Sequence, residues 1–330
     1  MTDAYIEYGL FFAKTLTVAT VILVPLLVVL LRRRPSAEEG DRLEIIDLSR
    51  RYREMAHALA RTAKRPQGMR RLIRRKPLPE KGLAREEKAH APEARVFVID
   101  FHGDIKATEA ASLREAITAV LLEAKDEDEV LIRLENAGGI VSEHGLAASQ
   151  LARIRQRRLR LTIAVDKVAA SGGYLMACVA DRLLAAPFAV VGSIGVIAGL
   201  PNFRRLLERH GVDFELHTAG EYKRTLTLFG ENTDAGREKL KEQLEAIHQL
   251  FKAFISEYRP ALDLERVATG EYWYGPEALK LGLVDEIQTS DDYLMAARDR
   301  ARIYQVKYSK RKRPMERLLS SVRSVLTADR

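Results

Sequence analysis

Val165-Asp-Lys-Val-Ala-Ala-Ser171-Gly-Gly-Tyr-Leu-Met-Ala-Cys-Val-Ala-Asp181 reads as the end of a buried strand, a turn of small residues carrying one serine, and a helix. Ile163 to Val165 is apolar and partly β-branched, as a central strand requires. Ala169, Ala170, Gly172 and Gly173 leave almost no side-chain bulk around Ser171, and Tyr174 to Ala180 suits a buried helix. A serine at such a turn stands at a helix N-terminus, where unpaired N–H groups and the helix dipole favour a developing anion. Two roles are open to it on this stretch alone: helix cap or nucleophile.

On either side of this stretch the same alternation recurs. Val96-Phe-Val-Ile-Asp100-Phe101 is a strand and Thr108 to Ala124 a helix. Glu129 to Leu134 is a second strand, ending in Glu135-Asn136-Ala137-Gly138-Gly139, and Ser142 to Arg157 is a helix. Leu159 to Val165 leads to Ser171, and Arg182 to Ala186 is a further strand. Beyond it, Asn202 to His210 reads as a short helix, Val212 to His217 as a strand and Thr233 to Tyr258 as a long amphipathic helix. Strands alternating with helices specify an α/β domain with a largely parallel sheet. Sites in such sheets gather at the carboxyl ends of the strands, where Gly138-Gly139 and Ser171 both fall.

The chain has 330 residues, 47% hydrophobic and 30% charged, enough for a sizeable core. One cysteine, Cys178, excludes an intrachain disulfide and an all-cysteine zinc site, and its apolar helix makes it a buried structural thiol. The net charge of +8 is concentrated between Arg32 and Arg95.

Gly9 to Leu31 is the first element. Val18 to Leu31 is almost unbroken apolar sequence, and Lys14 is the sole charge in the element. At about 1.5 Å per residue it reaches across a hydrocarbon core of roughly 30 Å, so residues 1–34 read as a single-pass membrane anchor. Arg32, Arg33 and Arg34 follow the span at once, which by the positive-inside rule leaves the C-terminal bulk in the cytoplasm; Lys14 and the free N-terminus count the other way. Residues 35–94 form a charged connector, with one amphipathic helix expected within Leu43 to Ala63. Its basic, proline-broken part lacks aromatic residues for base stacking, so a solvated linker or contact with anionic headgroups explains it better than nucleic acid. Residues 95–305 form the folded domain, and 306–330 a basic tail.

A serine nucleophile needs a base, because its hydroxyl is barely ionised at neutral pH. His102 and His144 follow strand ends, but neither has an evident acid partner in the sequence. A lysine kept neutral by burial is the other solution, and Lys223 stands just beyond a late strand. Spacing alone does not choose between them.

Five motifs then occur in order: Asn136-Ala-Gly-Gly139, Ala170-Ser-Gly-Gly-Tyr174, Gly192-Ser-Ile-Gly-Val196, Gly220-Glu-Tyr-Lys223 and Gly282-Leu-Val-Asp285. Together they resemble the signal peptide peptidase A family of membrane-bound serine proteases, most closely its SohB branch, over nearly the whole chain. The resemblance implies a ClpP/crotonase-like fold and a Ser-Lys dyad without metal or cofactor. It matches Ser171 to the nucleophile, Lys223 to the general base and Ser193 to the serine that positions the lysine. Gly138 and Gly172 match the backbone N–H donors of the oxyanion hole. Ala137 departs from the pattern, standing where many relatives have proline.

The resemblance further implies homo-oligomeric rings in which serine and lysine can come from neighbouring protomers. The expected activity is endopeptidase cleavage of membrane-derived, signal-peptide-like or misfolded polypeptides at the bacterial inner membrane. Two other functions are compatible with paired oxyanion amides on an anchored chain: a crotonase-like acyl-CoA enzyme, and a scaffold with a degenerate site.

Overall fold

A computed structural model describes residues 2–32, 41–63, 94–220 and 222–310. The described residues fall into two units, each compact by itself, divided between Arg42 and Leu43, with Leu43–Ser309 forming the second. In the first unit, one helix (α1) covers Thr2–Arg32. Among the described residues no helix is long and apolar enough to cross a membrane. The most apolar part of the expected span, residues 22–31, lies outside the residues whose side chains are described.

The second unit is built on a sheet that runs, in spatial order, β1 (Arg42–Asp47), β10 (Arg302–Ser309), β2 (Arg95–Gly103), β3 (Glu129–Asn136), β4 (Arg160–Val165), β6 (Arg182–Ala185) and β9 (Glu286–Ile287). From β10 to β9 every pairing is parallel. A parallel sheet is covered on both faces, which is why β2 to β4 read as continuous apolar runs. Alternate residues serve opposite faces. Phe97, Ile99, Phe101, Ile132 and Ile163 join one core, which includes residues of α3 (Ala110–Glu123) and α4 (Val141–Gln156) such as Ile117 and Leu151. Val96, Val98, Leu131, Ala164 and Leu184 join the other, with Leu48 of α2 (Leu48–Ala63) and Tyr293 and Leu294 of α10 (Ser290–Ala297).

The segment read as a connector therefore contributes β1 and α2 to the compact unit. Leu48 is buried, and the Ser49 hydroxyl oxygen accepts the Ile303 N–H at 2.9 Å.

At the carboxyl end of β3 a second, smaller group of strands branches off. Asn136 pairs with Ala169 of β5 (Val168–Ala170), and β5 pairs in parallel with β7 (Val190–Gly192). β7 in turn pairs antiparallel with β8 (Tyr272–Tyr274). Helix α5 (Gly172–Ala177) starts directly after Ser171 and is fixed by fully buried Tyr174, whose hydroxyl donates to the Leu283 carbonyl at 2.9 Å.

The strand expected at Val212 to His217 does not form. Val212, Phe214 and Leu216 keep the alternating pattern, but the segment is irregular and these side chains stay exposed. Alternation makes a strand only where a neighbour supplies ladder hydrogen bonds, and none of the described strands pairs with it. Before it lies α6 (Arg204–Arg209), and after it the chain leads into α7 (Asp234–Tyr258), α8 (Leu264–Val267) and α9 (Gly275–Lys280).

Candidate active site

Ser171 occupies the junction of β5 and α5 with φ 52° and ψ −120°. A non-glycine residue at positive φ costs on the order of 1–3 kcal/mol and persists only where its surroundings impose it. Here the Ser171 N–H donates to the Gly192 carbonyl at 2.8 Å, tying the turn to the end of β7. Its side chain makes no capping hydrogen bond to α5. The hydroxyl is therefore not consumed by the helix whose N-terminus it occupies.

Two glycines crowd this serine. A Cβ on Gly138, whose φ is +90°, would lie 2.7 Å from Ser171 Cβ and 2.9 Å from the Gly172 nitrogen. The Asn136-Ala-Gly-Gly139 turn thus lies directly against the Ser171 turn, an approach no larger residue allows. Gly172 opens α5, so its N–H belongs to the first turn, where helix donors lack intrahelical partners. The Gly138 N–H points at the Asn136 side chain and donates to Oδ1 at 2.8 Å.

Ser193 follows Gly192 at φ 51°, and its N–H donates to the Glu271 carbonyl at 2.6 Å. Because Ala170 and Gly192 are register partners, the Ser171 and Ser193 turns are adjacent. A cavity of about 320 Å³ opens beside Ser171 and Gly172. Its far wall is the apolar face of α7, with Ile247, Leu250, Phe251 and Phe254. Lys223 does not line it. That residue is exposed, in the irregular segment before α7, and its N–H donates to the Gly220 carbonyl at 3.1 Å.

Two family models match this chain, and they agree. The one described as Peptidase family S49 matches residues 153–304, and the one described as Peptidase family S49 N-terminal matches residues 3–151. The chain belongs to peptidase family S49. The probable protease SohB of Haemophilus influenzae is 46% identical over 321 residues, covering 94% of this chain and 91% of that one. Its counterpart in Buchnera aphidicola subsp. Acyrthosiphon pisum is 54% identical over 228 residues, covering 69% and 68%. Among solved structures, the 1510-N membrane-bound stomatin-specific protease, in complex with a substrate peptide, aligns with a TM-score of 0.42 at 15% identity, over 69% of this chain and 97% of that one.

Within this S49 chain, neither histidine considered as a base is hydrogen-bonded to Ser171, although His144 lines the same cavity. His102 is exposed, and its backbone N–H donates to Glu109 Oε2 at 2.9 Å. His144 is fully buried, with Nδ1 2.9 Å from the Ile140 carbonyl oxygen and Nε2 3.2 Å from Asn136 Oδ1. Both ring nitrogens are thus engaged with oxygens other than that of Ser171. Cys178, at the end of α5, is buried, and that burial pushes its thiol up to about 12.

Two contributions escaped the sequence reading. One is the Asn136 side chain, whose oxygen contacts both the Gly138 N–H and the His144 ring. The other is the α7 wall, although Ile247, Leu250, Phe251 and Phe254 carry helical spacing and could have been assigned to one face. Among the described residues no cluster of three or more His, Cys, Asp or Glu side chains could hold a metal.

Proposed function

We propose that this chain is a membrane-anchored serine endopeptidase of ClpP/crotonase-like fold that uses a Ser171–Lys223 dyad. The observation that carries the reading is the strained, uncapped Ser171 against Gly138 and Gly172 at the mouth of an apolar cavity. Ser171 attacks a peptide carbonyl while neutral Lys223 takes its proton. The Gly138 and Gly172 amides then hold the oxyanion, each such donor contributing about 3–4 kcal/mol. Lys223 protonates the leaving amine, and water hydrolyses the acyl-enzyme. Ser193 holds the lysine in place.

Lys223 is exposed in the protomer, whereas a lysine base needs desolvation to stay neutral. A second copy covering the segment from Ile197 to Phe229 supplies this. The exposed Phe203, Val212, Phe214, Leu216 and Tyr222 are the surface it buries. The active enzyme is therefore a homo-oligomer, with serine and lysine from neighbouring protomers.

The apolar α7 wall suits an apolar side chain of an extended substrate, as in membrane-derived, signal-peptide-like or misfolded polypeptides. The run from Val18 to Leu31 anchors the chain in the bacterial inner membrane, and the charge of Arg32 to Arg34 favours a catalytic unit on the cytoplasmic side.

The test is turnover of an unstructured peptide by the purified, assembled protein. Ser171→Ala is expected to abolish cleavage; equal turnover in that variant sinks the reading.

A further inference from the structure

The structure assigns Asn232 the role of positioning residue for Lys223: from the entry of α7 it pins the chain four residues beyond the lysine. This rests on the proposed Ser171–Lys223 dyad and adds to it the part of the fold that carries the base.

Lys223 is exposed and its segment is irregular, so no helix or sheet ladder fixes its backbone. A base must come within about 3 Å of the hydroxyl it deprotonates, and ordering a loose chain to do so costs conformational entropy. The order is supplied at Thr227. Its N–H donates to Asn232 Oδ1 at 2.8 Å, and its carbonyl accepts from Asn232 Nδ2 at 3.1 Å. One side-chain amide thus engages both backbone groups of one residue, as a neighbouring strand would. The same carbonyl accepts from Asn202 Nδ2 at 3.0 Å, which ties Thr227 to the start of α6 as well.

The entry of α7 is a firm base for this hold. Thr233 caps the helix, its Oγ1 accepting the Gly236 N–H at 3.1 Å. Gly236 lets Thr225 approach, since a Cβ there would lie 2.3 Å from the Thr225 carbonyl oxygen. Three positions further on, on the same side of the helix, the Lys239 ammonium lies 5.0 Å from the centre of the Tyr222 ring. Residues Tyr222, Thr225 and Thr227 are therefore each held by the entry or first turns of α7, and Lys223 stands between the first two. The middle of the same helix walls the cavity beside Ser171.

The experiment measures kcat and KM of the assembled full-length protein on an unstructured peptide, with thermal unfolding and sedimentation as checks on folding and assembly. Asn232→Ala removes both bonds to Thr227 and is expected to lower kcat about 10- to 100-fold, the scale of misplacing a reacting group by about 1 Å. KM is expected to stay within about threefold, because the base acts on the transition state. Gly236→Ala removes no hydrogen bond, and alanine is the better helix former. Its Cβ nevertheless displaces Thr225, so the same fall in kcat is expected.

Mixing protomers shows which residue the loss passes through. Asn232→Ala is expected to behave as Lys223→Ala does: with Ser171→Ala it regains roughly a quarter of wild-type turnover, and with Lys223→Ala it regains nothing.

Wild-type kcat in folded, assembled Asn232→Ala overturns the inference, as does a loss carried by KM. Repair by Lys223→Ala protomers overturns it too, as does repair by neither partner when Ser171→Ala and Lys223→Ala repair each other. If those two do not, the dyad lies within one copy and the kcat and KM result decides. Should Asn232→Ala fail to fold or assemble, Gly236→Ala decides by the same measures: lowered kcat supports the inference and wild-type kcat overturns it. Activity surviving in Ser171→Ala alone removes the endopeptidase reading itself, whatever the Asn232 and Gly236 variants do.

Discussion

The Ser171 N–H donates to the carbonyl oxygen of Gly192, 2.8 Å away, and Gly192 is the residue before Ser193. The two serines of the site, 22 positions apart in sequence, are therefore set by one hydrogen bond between neighbouring strand ends. Both have positive φ, 52° and 51°. Strain at the two turns is held by the short β5–β7 ladder, which in turn leans on Asn136 through Ala169. Anything that shifts one turn shifts the other.

Gly138→Ala is expected to lower kcat at least about 100-fold, the scale of losing an oxyanion donor. Its Cβ would meet Ser171 Cβ at 2.7 Å in addition to the φ of +90°. Gly270→Ala is the control, with φ +87° and nothing within 4 Å of the new Cβ. It is expected to lose only about 1 kcal/mol of stability and to keep its activity. Peptide turnover and denaturant titration of both variants check the contrast.

Ser171→Gly and Ser171→Ala are both expected to be inactive, yet to differ in stability. Glycine accepts φ 52° without a Cβ clash, so it is expected to be the more stable by about 1 kcal/mol. Equal midpoints in chemical denaturation would show that the turn is not strained.

Mixing refolded Ser171→Ala and Lys223→Ala protomers tests the shared site. If serine and lysine come from different copies, random assembly is expected to restore roughly a quarter of wild-type turnover, from sites that receive both intact residues. Mixtures as inactive as their components would place both residues in one protomer.

Asp128 gives the pH prediction. Burial alone raises its carboxyl, but hydrogen bonds from the Arg95 guanidinium and the Lys125 and Arg95 N–H groups outweigh it and hold the group below the usual carboxylate range. A depressed folded value means stability that is present above the unfolded value, near ~4, and is lost as pH falls through the folded one. Asp128→Asn is expected to cost about 1–3 kcal/mol at neutral pH, the scale of weakening the charge-assisted hydrogen bonds that Arg95 donates to it. It is also expected to flatten the loss of stability below pH ~4, measured by thermal unfolding across pH.

The parallel core was legible because β2, β3 and β4 are buried on both faces and read as unbroken apolar runs. The position of Ser171 at a strand end followed from the same pattern. Val212 to Leu216 misled, since period-two alternation reports side-chain facing and not the presence of a partner strand. That β1 and α2 join the compact unit was hidden by their charge, because among their described side chains only Leu48 and Ser49 are buried. The link from Asn136 to His144 joins residues 8 apart through a loop, and no periodicity announces a contact of that kind.

Cys178 has a practical use. The chain's sole thiol is fully enclosed, and its Sγ donates to the Leu175 carbonyl at 3.2 Å within the same turn of chain. With burial pushing it up to about 12, it carries almost no thiolate at neutral pH and offers no path to a reagent. The natural sequence is thus already a silent background for maleimide chemistry. A single cysteine placed at exposed Phe214 or Leu216 reports alone on whether a second copy shields that surface. One placed at exposed Lys307, with an impermeant reagent on intact cells, reports which compartment the catalytic unit faces.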